Sequence, residues 1–212
     1  MATMKNSIGF DLVEIITTFD IDVAIECQDL DIWMTADYQL NAFEEQILED
    51  LFLDIEISGE YMNEEELKAR MVGLMFYAAK IDVPNKIRVF YERPISAIVE
   101  THPLAVITDC MVASSVKSSP KMPYFFLQEF KKAKGEKKDP EAQMLTAMLI
   151  AQEKNNDQKP IYGAYMIGTG WHFSTLIGKK YCVSKKYEAS QKTNLRQIIF
   201  ILRKLKELIL NR

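Results

Sequence analysis

Three ionisable residues, Asp109, Glu129 and Lys131, carry the strongest sign of chemistry in this sequence. Asp109 ends one apolar run, and Glu129 and Lys131 end a second apolar run about twenty residues later. Side chains two residues apart on a strand share a face, so Glu129 and Lys131 are predicted to point the same way. If the two runs pair as an antiparallel hairpin with Asp109 opposite Glu129, all three side chains lie together.

Such a cluster suits a divalent metal ion. Two neighbouring carboxylates repel each other unless a cation lies between them. Carboxylate oxygens, together with water and phosphate oxygens, form the hard ligand set that Mg²⁺ or Mn²⁺ uses. We therefore expect Asp109 and Glu129 to hold the metal and to act in catalysis. Lys131 would orient the attacking water or stabilise negative charge that develops during the reaction.

The same residues resemble the active-site motif of the PD-(D/E)XK nuclease superfamily, which has the restriction-endonuclease-like fold. The resemblance rests on Asp109 in ITDC, on Glu129, Phe130 and Lys131 in YFFLQEFKK, and on the helix that begins DPEAQ. It covers roughly residues 63–210, and the wider pattern is similar to an uncharacterised bacterial branch. The proline that often precedes the first acid is missing. The resemblance implies metal-dependent hydrolysis of phosphodiester bonds, in DNA in preference to RNA, with the Phe130 carbonyl as a further metal ligand.

Two supporting residues follow from the resemblance. Gln143 in DPEAQ resembles the glutamine found in several branches of the superfamily, where it would position the substrate or a site residue. Many members also have an acid on an upstream helix, and Glu64 is the candidate because it stands three residues before the apolar Leu67. Each of these two is open to a plainer interpretation as an ordinary helix-surface residue.

Charge is distributed unevenly along the 212 residues. Residues 1–62 contain 15 acids and one base, a net charge of -14, whereas residues 101–212 contain 19 bases and nine acids, a net charge of +10. Clustered bases are typical of surfaces that contact phosphates. We expect contacts to nucleic acid from Lys132, Lys185, Lys186 and the basic face of the last helix. The acidic segment would shield that surface, bind a protein partner, or pack on the core with its acids facing solvent.

Helical periodicity and capping residues predict the helices. Residues 1–62 are predicted to form a helix, a loop and a helix. Asn63 and Glu66 form a capping-box pattern that begins the next helix. Asp139 followed by Pro140 begins another, and Thr193 is predicted to cap the last.

Strands are predicted from β-branched and aromatic runs, and a loop from the Ser, Lys and Pro content of residues 114–123. The predicted strands are 87–91, 95–100, 104–113, 124–132, 161–167 and 172–183. This order of elements predicts an α/β protein. The expected architecture is a three-layer α/β/α restriction-endonuclease-like core with a mixed sheet in residues 63–212, and an acidic, helical N-terminal extension in residues 1–62.

Composition excludes several other classes. The apolar runs are too short for a membrane-spanning helix, and the first residues lack the layout of a signal peptide, so we expect a cytoplasmic protein with no membrane contact. The three cysteines are far apart and odd in number, so they are predicted to be small buried side chains and not a disulfide framework.

Two other functions compete with the nuclease. The first is a catalytically silent module on the same fold that binds nucleic acid or a protein. The second is a glycoside hydrolase that uses Asp109 and Glu129 as its carboxylate pair. Lys131 beside the pair and the basic surface argue against the second alternative, because sugars are neutral. Sequence alone does not fix the oligomeric state.

Overall fold

The computed structural model describes residues 6–117, 119–131 and 139–212, which form both helices and strands. The helical elements are α1 (Leu12–Thr18), α2 (Gln28–Met34), α3 (Ala42–Ser58), α4 (Glu64–Glu66), a π-helical segment (Leu67–Val72), α5 (Gly73–Ala79), α6 (Pro140–Asn155) and α7 (Lys192–Leu210). The strands are β1 (Asp22–Val23), β2 (Ile87–Val99), β3 (His102–Val116), β4 (Ser119–Lys131), β5 (Ile161–Ile167), β6 (Gly170–Ile177), β7 (Lys180–Val183) and β8 (Tyr187–Glu188).

The strands of this part of the chain form one mixed sheet in the order β1-β7-β6-β5-β4-β3-β2, and β8 pairs with β6. The β1–β7 and β4–β5 pairs are parallel, and the others are antiparallel. Because β4 and β5 run in parallel, the chain must cross over between them, and α6 makes that crossing. The chain is therefore a mixed α/β protein with a large mixed sheet and helices.

Successive side chains of a strand point to opposite faces of the sheet, and each face packs in its own hydrophobic core. On β3, Cys110 and Val112 belong to the core that contains α3, α5 and α7, whereas Met111 and Ala113 belong to the core that contains α6 and α1. The α6 helix is buried along most of its length, because side chains from the long β2–β3 hairpin pack in the same core as α6. Helices thus cover both faces of the sheet.

Two predicted caps are confirmed. Asn63 and Glu66 form a reciprocal capping box, with Asn63 Oδ1 accepting from the Glu66 N–H at 3.0 Å. The Asp139 side chain accepts from the N–H of Glu141 at the start of α6. The cap predicted for the last helix is wrong, because α7 begins at Lys192, before Thr193.

The loop predicted over residues 114–123 is wrong. β3 continues to Val116 and β4 begins at Ser119, so the turn between them is tight. The register shifts twice between Val112 and Ser114. The prolines of this stretch are tolerated because β4 pairs with β5 only from Phe126 onward, and a strand with one partner needs fewer N–H donors.

The N-terminal segment is attached to the far edge of the sheet. Asp22 and Val23 form a short strand, which was not predicted, beside Lys180 and Tyr181 of β7. Cys27 and Cys182 form a disulfide with their Cα atoms 6.3 Å apart. The prediction of three unpaired cysteines is therefore wrong for these two, because the fold brings together residues 155 positions apart. Cys110 is free and buried, as predicted.

The acidic helix α3 lies against α7. Leu48, Leu51 and Ile55 are buried in the shared core, whereas Phe43 is 66% exposed. Within the described ranges, no helix is long and apolar enough to cross a membrane.

Candidate active site

The predicted carboxyl pair lies where β3 and β4 stop pairing. The outermost residue pair at this end is Cys110 with Gln128, which is the register predicted from the sequence. One position further along, Asp109 stands across from Glu129. There, Asp109 Oδ2 accepts a hydrogen bond of 2.9 Å from the N–H of Phe130, in place of a backbone partner. Each of the two carboxyl groups alters the pKa of the other.

Glu129 is the more buried member of the pair. The residue is 1% exposed, and its Oε1 atom has no hydrogen-bond partner among the described residues. Burial raises the pKa of the Glu129 carboxyl well above its usual value, and the Asp109 carboxylate raises it further, against the opposing effect of the Lys131 ammonium. The site therefore favours a protonated Glu129 unless a cation compensates its charge.

Asp109 is half-buried and less perturbed. Burial raises the pKa of its carboxyl, whereas the Phe130 N–H and the Lys131 ammonium lower it, and Glu92 raises it. Two carboxyl groups this close do not both ionise readily in a poorly solvated place. The pair can share a proton or bind a cation.

Lys131 and Glu64 are brought together at the same end of the sheet. Lys131 Nζ lies 3.1 Å from Glu64 Oε1, and the lysine side chain is 14% exposed. Glu64 is the first residue of α4, directly after the Asn63 cap. The capping box thus fixes the helix start that presents Glu64 to Lys131.

Sequence reasoning missed Lys68 and Glu92, which lie next to this group. Lys68 Nζ pairs with Glu65 Oε1 at 3.0 Å and also with Glu92, and it lies 5.6 Å from the centre of the Phe130 ring. Lys68 could have been suspected from its position one helical turn after Glu64. Glu92 could not, because its place depends on the register of β2 against β3.

Negative charge predominates in this group, which we call the carboxylate cluster. It contains two ammonium groups, those of Lys68 and Lys131. Its carboxyl groups, counted among the described residues, are Glu64, Glu65, Glu92, Asp109 and Glu129. Even with one proton on the Asp109–Glu129 pair, the excess of negative charge attracts cations in preference to a bare polyanion.

Gln143 does not join the carboxylate cluster through a hydrogen bond. It lies in α6 and is buried, and its Oε1 has no hydrogen-bond partner within residues 6–117, 119–131 and 139–212. Its predicted role in positioning substrate stays a prediction.

Of the lysines predicted to contact nucleic acid, the two that the structure describes, Lys185 and Lys186, lie elsewhere. Lys132 lies outside the described residues. Lys185 and Lys186 are exposed between β7 and β8, where Lys185 Nζ lies 5.7 Å from the centre of the Tyr187 ring and Lys186 pairs with Glu188 at 3.0 Å. No recorded contact in the described part of the chain joins them to Asp109 or Glu129.

The basic face of α7 is paired with acids of α3. Arg196 makes two hydrogen bonds to Glu45, at 2.6 and 2.7 Å, and Arg203 lies 3.1 Å from Glu44. Lys192 pairs with Glu49. The interpretation in which the N-terminal acids face solvent is therefore wrong for Glu44, which is buried, whereas Glu45 and Glu49 remain partly exposed. These α7 charges are engaged within the chain.

Comparison with known proteins adds no family assignment. No family model matches the chain. No curated protein matches it either. Within the described ranges, no group of three or more His, Cys, Asp and Glu side chains is arranged to hold a metal ion, so the Asp109–Glu129 pair stands as two acids and not as a complete ligand set.

Proposed function

We propose that the protein hydrolyses phosphodiester bonds of nucleic acid, DNA in preference to RNA, with the help of Mg²⁺ or Mn²⁺. The observation that carries the proposal is the Glu129 carboxyl, which is buried beside the Asp109 carboxyl with one oxygen lacking a hydrogen-bond partner in the described structure. A buried carboxyl oxygen without a hydrogen-bond partner is costly. A cation bound between the two acids would remove that cost.

The residues present fit a hard divalent ion. Asp109 and Glu129 would supply carboxylate oxygens, the ligand type that Mg²⁺ prefers, and the resemblance adds the Phe130 carbonyl. When bound, the ion supplies positive charge that stabilises the phosphate oxygens as the bond breaks.

The other residues act through charge and position. Lys131 lies beside the carboxyl pair and lowers the pKa of both members, so its ammonium is near enough to orient water or to stabilise charge on the substrate. Glu64 holds Lys131 through the 3.1 Å contact and acts as a positioning residue.

The order of elements supports the same proposal at the level of the fold. The antiparallel strands β2, β3 and β4 are followed by α6 and by β5, which is parallel to β4. We propose that this unit, with the helix that begins at Glu64, is the restriction-endonuclease-like core that the sequence motif implies.

A cleavage assay with matched variants tests the function. Wild type should cut duplex or single-stranded DNA in Mg²⁺ or Mn²⁺ and not in EDTA. Lys131→Ala should lower the cleavage rate at least 100-fold and leave Mn²⁺ affinity within about three-fold, because the lysine does not ligate the ion. Asp109→Asn should lower both the cleavage rate and the affinity for Mn²⁺. Lys180→Ala, at an exposed lysine of β7, which three strands separate from β3 in the sheet, serves as the control and should cut normally.

A catalytically silent module is the second candidate. The observation that favours it is the lack of a third metal-ligating side chain at the carboxyl pair in the described residues. Under this alternative, wild type binds nucleic acid but cuts no DNA or RNA with either metal ion. Lys131→Ala then changes only the affinity for nucleic acid.

A further inference from the structure

Glu92 stands directly across from Asp109 on the neighbouring strand. β2 and β3 pair continuously around it, with Tyr91 opposite Cys110 and Arg93 opposite Thr108. The ladder skips only the position between these pairs, which belongs to Glu92 and Asp109. Opposed residues of antiparallel strands have Cα atoms roughly 5 Å apart, and Asp109 itself stands across from Glu129. The three acids therefore occupy one row across β2, β3 and β4.

The backbone at Glu92 departs from the strand conformation. Its φ angle is 51°, in the left-handed region that a glutamate seldom adopts. The departure turns the carboxylate of Glu92 to Lys68, with which it forms an ion pair. Lys68 lies in the π-helical segment, another uncommon conformation and one that is frequent at functional sites.

The ion pair that holds Glu92 is easy to exchange. The side chain of Glu92 is 54% exposed and that of Glu65, the other partner of Lys68, is 81% exposed. Ion pairs at such exposed positions contribute little to stability. Lys68 can keep Glu65 as its partner when Glu92 turns away, so its charge is not left unpaired.

We propose that Glu92 is a third carboxylate of the cation site, joining Asp109 and Glu129 when a divalent ion binds and Lys68 releases it. This inference rests on the proposed function, and it names a ligand that neither the sequence motif nor the two-acid arrangement provides. The unpartnered Oε1 of Glu129, in the same row and buried, is the independent sign that the row is built for a bound cation.

Binding of Mn²⁺ to the full chain, measured by calorimetry and by the Mn²⁺ electron paramagnetic resonance signal, tests this role without any need for turnover. Glu92→Gln should weaken Mn²⁺ affinity at least ten-fold. Glu100→Gln is the matched control, because Glu100 also has a positive φ angle and an exposed ion pair with a lysine but lies at the β2–β3 turn, outside the carboxylate cluster, and it should leave affinity within two-fold. Lys68→Met should strengthen Mn²⁺ binding three-fold or more, since it frees Glu92 in advance.

A second variant distinguishes loss of the carboxylate from a folding defect. Asparagine adopts positive φ angles more readily than glutamine, so Glu92→Asn removes the carboxylate while suiting the backbone, and it should weaken Mn²⁺ binding to the same extent. If folded Glu92→Gln or Glu92→Asn binds Mn²⁺ like wild type while Asp109→Asn loses it, this inference is wrong and the proposed function stands. If wild type binds no Mn²⁺, the metal-dependent function itself is wrong.

Discussion

The ionisation of Glu129 couples the candidate site to the stability of the fold. Its pKa is raised in the folded chain, chiefly by burial, so the folded state holds the proton more tightly than the unfolded state does. The stabilising contribution is full below the ordinary glutamate pKa and is lost as the pH rises through the folded-state pKa. At neutral and alkaline pH the burial of the Glu129 carboxyl therefore costs stability.

Glu129→Gln should stabilise the protein at pH 8 in EDTA. The amide keeps the shape of the side chain and removes the charge, so the free energy of unfolding should rise by about 1 kcal/mol and the melting temperature by about 3 °C. The gain should vanish below pH 4, where wild type is protonated. Thermal unfolding across pH measures this.

The control for that series is Glu153→Gln, at an exposed position on α6. Its melting temperature should differ from that of wild type by the same amount at every pH. Addition of Mn²⁺ should raise the melting temperature of wild type and not that of Glu129→Gln. A variant that is less stable than wild type at pH 8 would contradict the assignment of a destabilising buried charge.

At this scale the sequence predicts Asp109, Glu129 and Lys131 together, with Glu64 as a candidate, but it does not predict Lys68 or Glu92. Alternation along two apolar strands was enough to align Asp109 with Glu129, because the register at that end of the hairpin is undisturbed. Glu92 escapes prediction because its position depends on the pairing of β2 and on a left-handed residue that no local pattern signals. A role for Gln143 is equally hard to predict, because it depends on how α6 packs against the sheet, which the sequence of one helix does not specify.

At the scale of elements, buried charge joins α3 to α7. Glu44 accepts hydrogen bonds from Lys80, at 2.6 Å, and from the N–H of Asn41, at 3.0 Å, and it pairs with Arg203. The hydrogen bond from Lys80 is the chief cause that lowers the pKa of Glu44 to about 2, followed by that from Asn41. A lowered folded-state pKa contributes stability above the ordinary glutamate pKa, and that contribution is lost as the pH falls toward 2.

Glu44→Gln should therefore destabilise the protein at neutral pH. Removing the charge leaves Arg203 largely buried without its partner, at a cost of about 2 kcal/mol, or a melting temperature lower by roughly 4–8 °C. The difference from wild type should shrink between pH 5 and pH 3. Glu56→Gln, at an exposed position of the same helix, should match wild type throughout. An unchanged difference across this range would show that the pair is not the cause.

Local patterns predict elements better than they predict their extent. The caps at Asn63 and Asp139 are short-range features, since each involves hydrogen bonds to residues two or three positions away, and both were predicted. Residues 114–123 look like a loop because serine and proline disfavour strands, yet pairing between β3 and β4 overrides that preference. β1 was missed since two residues carry no periodicity.

For the whole molecule, the disulfide between Cys27 and Cys182 closes a loop of most of the chain. Such a bond restricts the unfolded chain, and the entropy model gives about 3–5 kcal/mol for long loops. A reducing agent should therefore lower the melting temperature of wild type by several degrees. The double variant Cys27→Ser/Cys182→Ser should melt at one temperature with or without reductant.

Thiol counting provides the control. Unfolded, unreduced wild type should react at one thiol per chain, that of Cys110, and Cys110→Ser should react at none while keeping its sensitivity to reductant. Three reactive thiols in the unreduced protein would contradict the disulfide.

The parallel pairing of β1 with β7 also sets an order of events while the chain is being made. Residues 22–23 find their partners only at residues 180–181, so β1 waits for nearly 160 residues to follow it. At about 5–20 residues per second, that wait lasts roughly 8–30 s. The acidic segment leaves the ribosome ahead of the bases of α7 that pair with Glu44, Glu45 and Glu49. Repulsion among the acidic side chains of this segment would keep it extended, and would keep it apart from other unfinished chains, until the last helix is made.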